Sequence, residues 1–378
     1  MKGYTITKPI FIGAEIFRTS TYGAYHPLRV PRVSTVMDLS RALGWLPSDQ
    51  YRISPRAKPS ALALWHDSEY LAALQRVEAT GIATTDDRQR FGLGTPSNPV
   101  FAEMFRRPAT GAGGSMLGAE LLRNGGVVYN PAGGTHHGLP DRANGFCYLN
   151  DPVLAILMMQ NYGLERIAYI DIDAHHCDGV EYAFASDPSV LCLSVHEENR
   201  WPFAGKLEDV GVGNVFNIPV PKGFNDTEMR AVLSDLIVPV VDGFKPDAIV
   251  LQCGADALTE DPLARLTLSN GAHRSVVAAL NGMSPRYLVL GGGGYNPWSV
   301  GRCWTGVWAQ LNNCALPERL PQKAEDILRA ISWSGHRLSC NPSETLFTTL
   351  LDSPREGPVR PEIRTRISAL RRRQRAVW

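Results

Sequence analysis

Five short apolar runs constrain the fold of this chain more than any other feature. They are GVVYN (126–130), RIAYIDI (166–172), SVLCLSV (189–195), DAIVLQC (247–253) and RYLVLGG (286–292), each bounded by glycine, proline or polar residues. Continuous Val/Ile/Leu runs of this length are the pattern of strands buried on both faces of a parallel sheet. Helical patterns lie between and around them, over 151–162, 226–244, 269–281 and 297–311, with two earlier ones over 30–43 and 60–80. Strands alternating with helices predict an α/β fold. No Ser/Gly-rich linker or internal repeat divides the sequence, so the expectation is one domain over 1–378. From about residue 360 the chain turns basic and helical, ending RTRISALRRRQRAVW, which reads as a solvated terminal helix without chemistry of its own.

In an open parallel sheet, ligands bind at the carboxyl ends of the strands. Those ends are where the polar residues fall: PAGGTHHG follows the first run, DAHHCDG the second, HEEN the third, GADAL the fourth and GGGGY the fifth. Lys plus Arg number 38 against 37 Asp plus Glu, a net charge of +1, so bulk electrostatics offers no case for a nucleic-acid partner. No apolar stretch reaches the roughly 18 residues of a membrane span. The start, MKGYTITKPIFIGAEIF, lacks a basic region, a long apolar run and a small-residue cleavage site, so a cytoplasmic protein is expected. Seven cysteines, scattered and without CxxC pairs, indicate neither a disulfide framework nor a cysteine zinc site.

Strand residues two apart share a face, so Asp171 and Asp173 point the same way. Burying two carboxylates together is costly unless something pairs them, and a metal ion is the obvious partner. Asp173 and His175 can grip one ion, with Asp256 of GADAL as third ligand. An Asp-His-Asp set leaves a position open, as a catalytic site requires; it suits Zn²⁺, and Fe²⁺, Mn²⁺ or Co²⁺ as well. His136 and His137, in a Gly-rich turn, supply a general base and a partner beside it, each needing a carboxylate on its far nitrogen. Asp171 and Asp178 are the spare aspartates, pairing with His136 and His137 respectively. Tyr295 follows four glycines with no lysine behind them, which argues against a phosphate loop and for a phenol brought close to a metal-bound carbonyl. Cys177 reads as small filler, His176 as support behind the ligands, and His196 as rim or support. His26, His66, His273 and His336 read as structural.

Together GGTHHG, ANGFCYLND, IDIDAHHCDG, LSVHEE, QCGADAL and LGGGGY, in this order, resemble the zinc-dependent histone deacetylase superfamily, closest to its class I-like bacterial and acetoin-utilisation members. The resemblance implies an arginase/deacetylase-type α/β domain, with a central parallel sheet of about eight strands flanked by helices. It implies a deacetylase acting on acetyl-lysine or a small acylated amine, and the same catalytic and zinc residues as above. It further implies an apolar tunnel of Gly145, Phe146, Phe203 and Leu263, Arg32 in an acetate-release cavity, and K⁺ bound through Asp171, Asp173, His175, Ser194 and Val195. One departure stands out: the rim loop FGLGTPSNPVF lacks the carboxylate that holds a peptide backbone in many members, leaving Ser97 or Asn98 as substitutes. Two rival readings are a ureohydrolase with two metals about 3.5 Å apart and a non-catalytic acyl-ligand binder. For the first, GADAL supplies one aspartate where more are wanted; for the second, a lost Tyr or His is expected and none is lost.

Overall fold

A computed structural model describes residues 8–333 and 341–377. Eight strands form one sheet: β1 (Ile10–Gly13), β2 (Tyr51–Ile53), β3 (Gly126–Asn130), β4 (Ile167–Asp171), β5 (Val190–Glu197), β6 (Val215–Val220), β7 (Ala248–Gln252) and β8 (Arg286–Leu290). Their order across the sheet is β2-β1-β3-β8-β7-β4-β5-β6, and every pairing is parallel. The five apolar runs are β3, β4, β5, β7 and β8, which sit side by side at the centre. All five residues of β4 and all eight of β5 are buried, because helices cover both faces. Alternate residues feed opposite cores: Ala168 and Ile170 join one, Ile167 and Tyr169 the other.

The expected helices form with small differences. Helix Asp151–Asn161 starts where the Asn150 side chain accepts from Val153 N–H and Pro152 sits in the first turn. Helix Pro297–Leu311 starts the same way, with Asn296 accepting from Trp298 and Ser299 N–H. The pattern over 226–244 is interrupted by a wider π turn at Leu233–Ile237, and that over 60–80 divides into Pro59–Leu62 and Ser68–Thr80. Three strands carry no apolar run long enough to be expected: β1, β2 and β6.

The basic C-terminal segment differs most from expectation. Helix Pro361–Val377 is docked rather than solvated, with Ile363, Ile367 and Leu370 in the main core. Among the described residues, no helix is long and apolar enough to cross a membrane.

Candidate active site

The ends of β3, β4, β7 and β8 converge on one point, and each site residue is placed by the loop that leaves its strand. After β3, the chain is held by Asp151, whose carboxylate accepts from Gly134 N–H (3.0 Å), Thr135 N–H (2.8 Å) and the Ser115 and Thr135 hydroxyls. Asn150 donates to the carbonyls of His136 (3.1 Å) and Gly138 (2.9 Å). The turn carrying the two histidines is thereby fixed from behind.

Both histidines meet the carboxylates expected for them. His136 Nδ1 lies 2.7 Å from Asp171 Oδ2, and His137 Nδ1 lies 2.6 Å from Asp178 Oδ1. Tyr169 OH also donates to Asp171, and Asn144 donates to Asp178 (3.0 Å). The two free Nε2 atoms face each other at 2.9 Å, so one carries the proton and the other accepts it. Their environments split them. Burial disfavours charge on both, but Asp171 and Asp173 overcome it and raise His136 to about 9. At His137, burial and the neighbouring His136 charge bring the pKa down to about 4.

Asp173, His175 and Asp256 have donor atoms within 4.8 Å of one another and are all buried. His175 Nδ1 is 2.9 Å from Asp256 Oδ2 and 3.2 Å from Asp173 Oδ1. Gln252 Nε2 and Gly293 N–H both donate to Asp173 Oδ2 at 2.8 Å, and Ala174 N–H donates to Asp256 Oδ1 at 3.0 Å. A Cβ on Gly254 would come within 2.0 Å of Asp173, and one on Gly293 within 2.2 Å of Asp256, so bare backbone closes the cradle. Burial works against charge at His175, yet its bonds to Asp173 and Asp256 raise it to about 10. Burial and the Asp173 charge raise Asp256 to about 6. Despite burial, His136 and His175 hold Asp173 well below the usual carboxylate range, and two carboxylates crowded on one imidazole suit a divalent cation, which the mixed O/N donor set fits. It is the only such group of ligands among the described residues.

Tyr295 follows the glycine run and is buried. Burial and the Asp256 and Asp173 charges keep its phenol protonated, with a pKa well above normal. Its backbone N–H donates to Asp261 Oδ2 (2.7 Å), while Asp261 Oδ1 accepts from Leu263 N–H (2.8 Å). Asp261 therefore ties the Tyr295 and Leu263 backbones together. Arg32 donates to the Gly292 carbonyl (2.7 Å), stacks 5.2 Å over Trp304, and lines a small cavity with His136, Asp173 and Tyr295. Ser194 is paired in register with Asp171, the last residue of β4.

His137, His175 and Tyr295 line the floor of a cavity of about 430 Å³ whose walls include Gly145, Phe146, Leu263 and Phe203. Phe203 stands at the mouth, 72% exposed. The inner wall is Trp201, absent from the expected set: its ring packs edge-on to His137 at 4.6 Å and covers Gly145, where a Cβ would meet the indole at 2.2 Å. Of the two rim substitutes, Ser97 lines the cavity, whereas Asn98 is buried and accepts from Phe146 N–H (3.0 Å).

The remaining residues take supporting places. His176 pairs with Glu181 (2.9 Å), and its ring lies against His196. His196 is buried behind the site, bonded to Ser194 Oγ and the Gly205 carbonyl, and is no part of the rim. Cys177 packs in the core with Tyr169 and Phe184. His26, His66 and His273 each bond backbone groups, and His336 lies outside the described residues. Asn150, Asp151, Tyr169, Gln252 and Asp261 serve the site without being expected; the partners of Asn150, Asp151 and Gln252 are distant in sequence, so no local pattern marks those three.

Comparison with known proteins converges on one answer. A family profile described as "Histone deacetylase domain" matches residues 26–311. The chain is 36% identical over 309 residues to histone deacetylase RPD3 of Saccharomyces cerevisiae, covering 79% of this chain and 71% of that one. It is 31% identical over 347 residues to the acetoin utilization protein AcuC of Bacillus subtilis, covering 86% and 89%. The crystal structure of an HDAC homolog from Aquifex aeolicus superposes with a TM-score of 0.92 at 34% identity, covering 96% of this chain and all of that one, and a crystal structure of an HDAC homolog complexed with SAHA matches with the same values. A profile that spans both the histidine turn and the glycine run, and a fold that overlays along nearly its whole length, make this chain a member of the histone deacetylase family.

Proposed function

We propose that this chain removes acetyl or other short acyl groups from N-acylated amines such as acetyl-lysine, with small acylated amines as the alternative substrates. The observation that carries this is convergence. A three-ligand cation cradle, a carboxylate-backed histidine pair and a buried phenol all border one apolar-walled cavity. Zn²⁺ is the ion we assign to Asp173, His175 and Asp256, with Fe²⁺, Mn²⁺ and Co²⁺ as alternatives; once bound it polarises the amide carbonyl and acidifies water. K⁺ is assigned to Asp171, Asp173, His175, Ser194 and Val195.

The chain's own groups divide the remaining work. The acyl-amine stem lies between Phe146 and Trp201, with Gly145 and Leu263 completing the slot and Phe203 at its mouth. His137, held by Asp178, takes the proton of the attacking water at Nε2; His136, held by Asp171, keeps the pair singly protonated. The protonated imidazole then gives a proton to the departing amine nitrogen. Tyr295 donates its hydroxyl to the oxygen on which negative charge builds. Arg32 faces the small cavity behind the floor and is placed to receive the released carboxylate. We assign residues 1–378 to one domain and a cytoplasmic setting. A single ligand cluster among the described residues supports this reading over a two-metal ureohydrolase.

Replacing Tyr295 by Phe tests the assignment. Losing one oxyanion donor is expected to lower kcat by about 10²–10³-fold with metal content unchanged by atomic absorption. Near-normal turnover in that variant contradicts the mechanism.

A further inference from the structure

Resting on that reading, the charge at the cavity mouth points to a substrate class. Apart from the two histidines at the floor, the charged residues lining the cavity are Arg200 and Arg265, and no carboxylate lines it. Arg200 is spent. Its Nε and Nη2 lie 2.6 and 3.2 Å from the two oxygens of Glu197, and its Nη1 donates to the Leu263 carbonyl. Glu197 is buried and also accepts from the Arg265 backbone N–H (2.8 Å). The backbone of Arg265 is thus pinned at the mouth, while its guanidinium forms no hydrogen bond or ion pair with the described residues and is exposed. A guanidinium stays protonated at any working pH and offers a planar fork that fits a carboxylate.

The surroundings sharpen the preference. Phe146, Trp201 and Phe203 form apolar walls next to this charge, which strengthens its field along the slot. The lining also contributes Ser97, a neutral group. Phe146, Asn199 and Phe203 hold positive φ (68°, 56° and 60°), three of the five non-glycine residues in that region of the backbone map among the described residues. Strained backbone gathered at one mouth is a mark of a shaped binding surface rather than of free loop.

We infer that Arg265 forms a carboxylate-binding subsite, so that favoured substrates are N-acylated amines with an anionic group just outside the slot, and cationic acylamines are disfavoured. Two sources share this chemistry: the substrate's own terminal carboxylate, or an acidic side chain next to acetyl-lysine in a peptide.

The test uses metal-loaded full-length protein and three probes of one stem length: ω-acetamidohexanoate, its carboxamide, and N-acetylcadaverine. Binding is read by calorimetry and turnover separately. The acid is expected to bind about tenfold tighter than the amide, the diamine weakest, with the gap narrowing as salt is raised. Arg265→Gln should bring the acid-to-amide ratio towards one, and Arg265→Lys should restore part of it. Equal binding of acid and amide, or an unchanged ratio in Arg265→Gln, overturns the inference. Acetyl-lysine peptides with Glu or Gln as neighbour, set against free acetyl-lysine, tell the two sources apart. Absence of turnover for every probe, with the acid still bound tighter, sinks the hydrolase reading and leaves the subsite standing.

Discussion

His66 has both ring nitrogens committed. Nδ1 faces the Leu139 and Pro140 carbonyls (3.1 and 3.3 Å), so it carries the hydrogen; Nε2 accepts from Asn150 N–H (3.0 Å). A second proton would set two donors against each other, and burial brings the pKa down to about 4. An unfolded imidazole takes its proton near about 6.5. Between those values the unfolded state binds more protons, so the contribution is intact above the window and is lost as pH falls through it. The loss amounts to about 3 kcal/mol at most. His26 and His273, also lowered by burial, act in the same direction. Urea unfolding at neutral and acid pH should therefore show a smaller acid loss in His66→Gln than in the parent. Identical acid dependence would remove His66 from the account. At this scale the sequence was informative wherever chemistry concentrates in a motif, as at His136, Asp173 and Tyr295. It was silent on Trp201, because WPF sits in an aperiodic loop and its wall position is set by packing on Gly145.

Among the elements, β6 is an edge strand whose far side would otherwise offer free carbonyls. Helix Pro361–Val377 covers it: Arg366 donates to the Pro219 carbonyl (2.6 Å) and Arg373 to that of Val215, while Arg360 grips Glu228 through two 2.6 Å contacts. Pro219 itself removes a donor from the edge. The arginines that made the segment read as a solvated tail are thus partly edge ties, a use invisible without knowing which strand is outermost. Ile367→Asp places a charge in the core beneath this helix and is expected to cost about 3 kcal/mol. Uncovering β6 should also produce concentration-dependent self-association by sedimentation velocity; a destabilised but strictly unchanged species would argue against the edge role. The five central strands were legible because burial on both faces leaves an unbroken apolar run. β1 and β2 are too short for such a run, and β6 carries Asn217 and Pro219 in its middle.

Across the whole molecule, the cation cradle joins the loops after β4, β7 and β8, which no covalent bond connects locally. An ion bound there holds the folded chain and not the unfolded one, adding about 4 kcal/mol at a concentration about 1,000-fold above Kd. Thermal unfolding with a chelator should give a lower Tm than with Zn²⁺ added, and equal Tm values would contradict a buried ion at this site. The α/β class and the placing of the site at strand ends were legible because both follow from general rules of parallel sheets. The strand order was not, since it depends on which helices cross which face.

That order has a consequence in time. β3 is complete at Asn130, yet one of its sheet neighbours is β8, which begins at Arg286. The histidine turn thus leaves the ribosome long before the glycine run that closes the cradle. The half-built sheet waits with an open edge, and the cradle can close only after the glycine run has emerged.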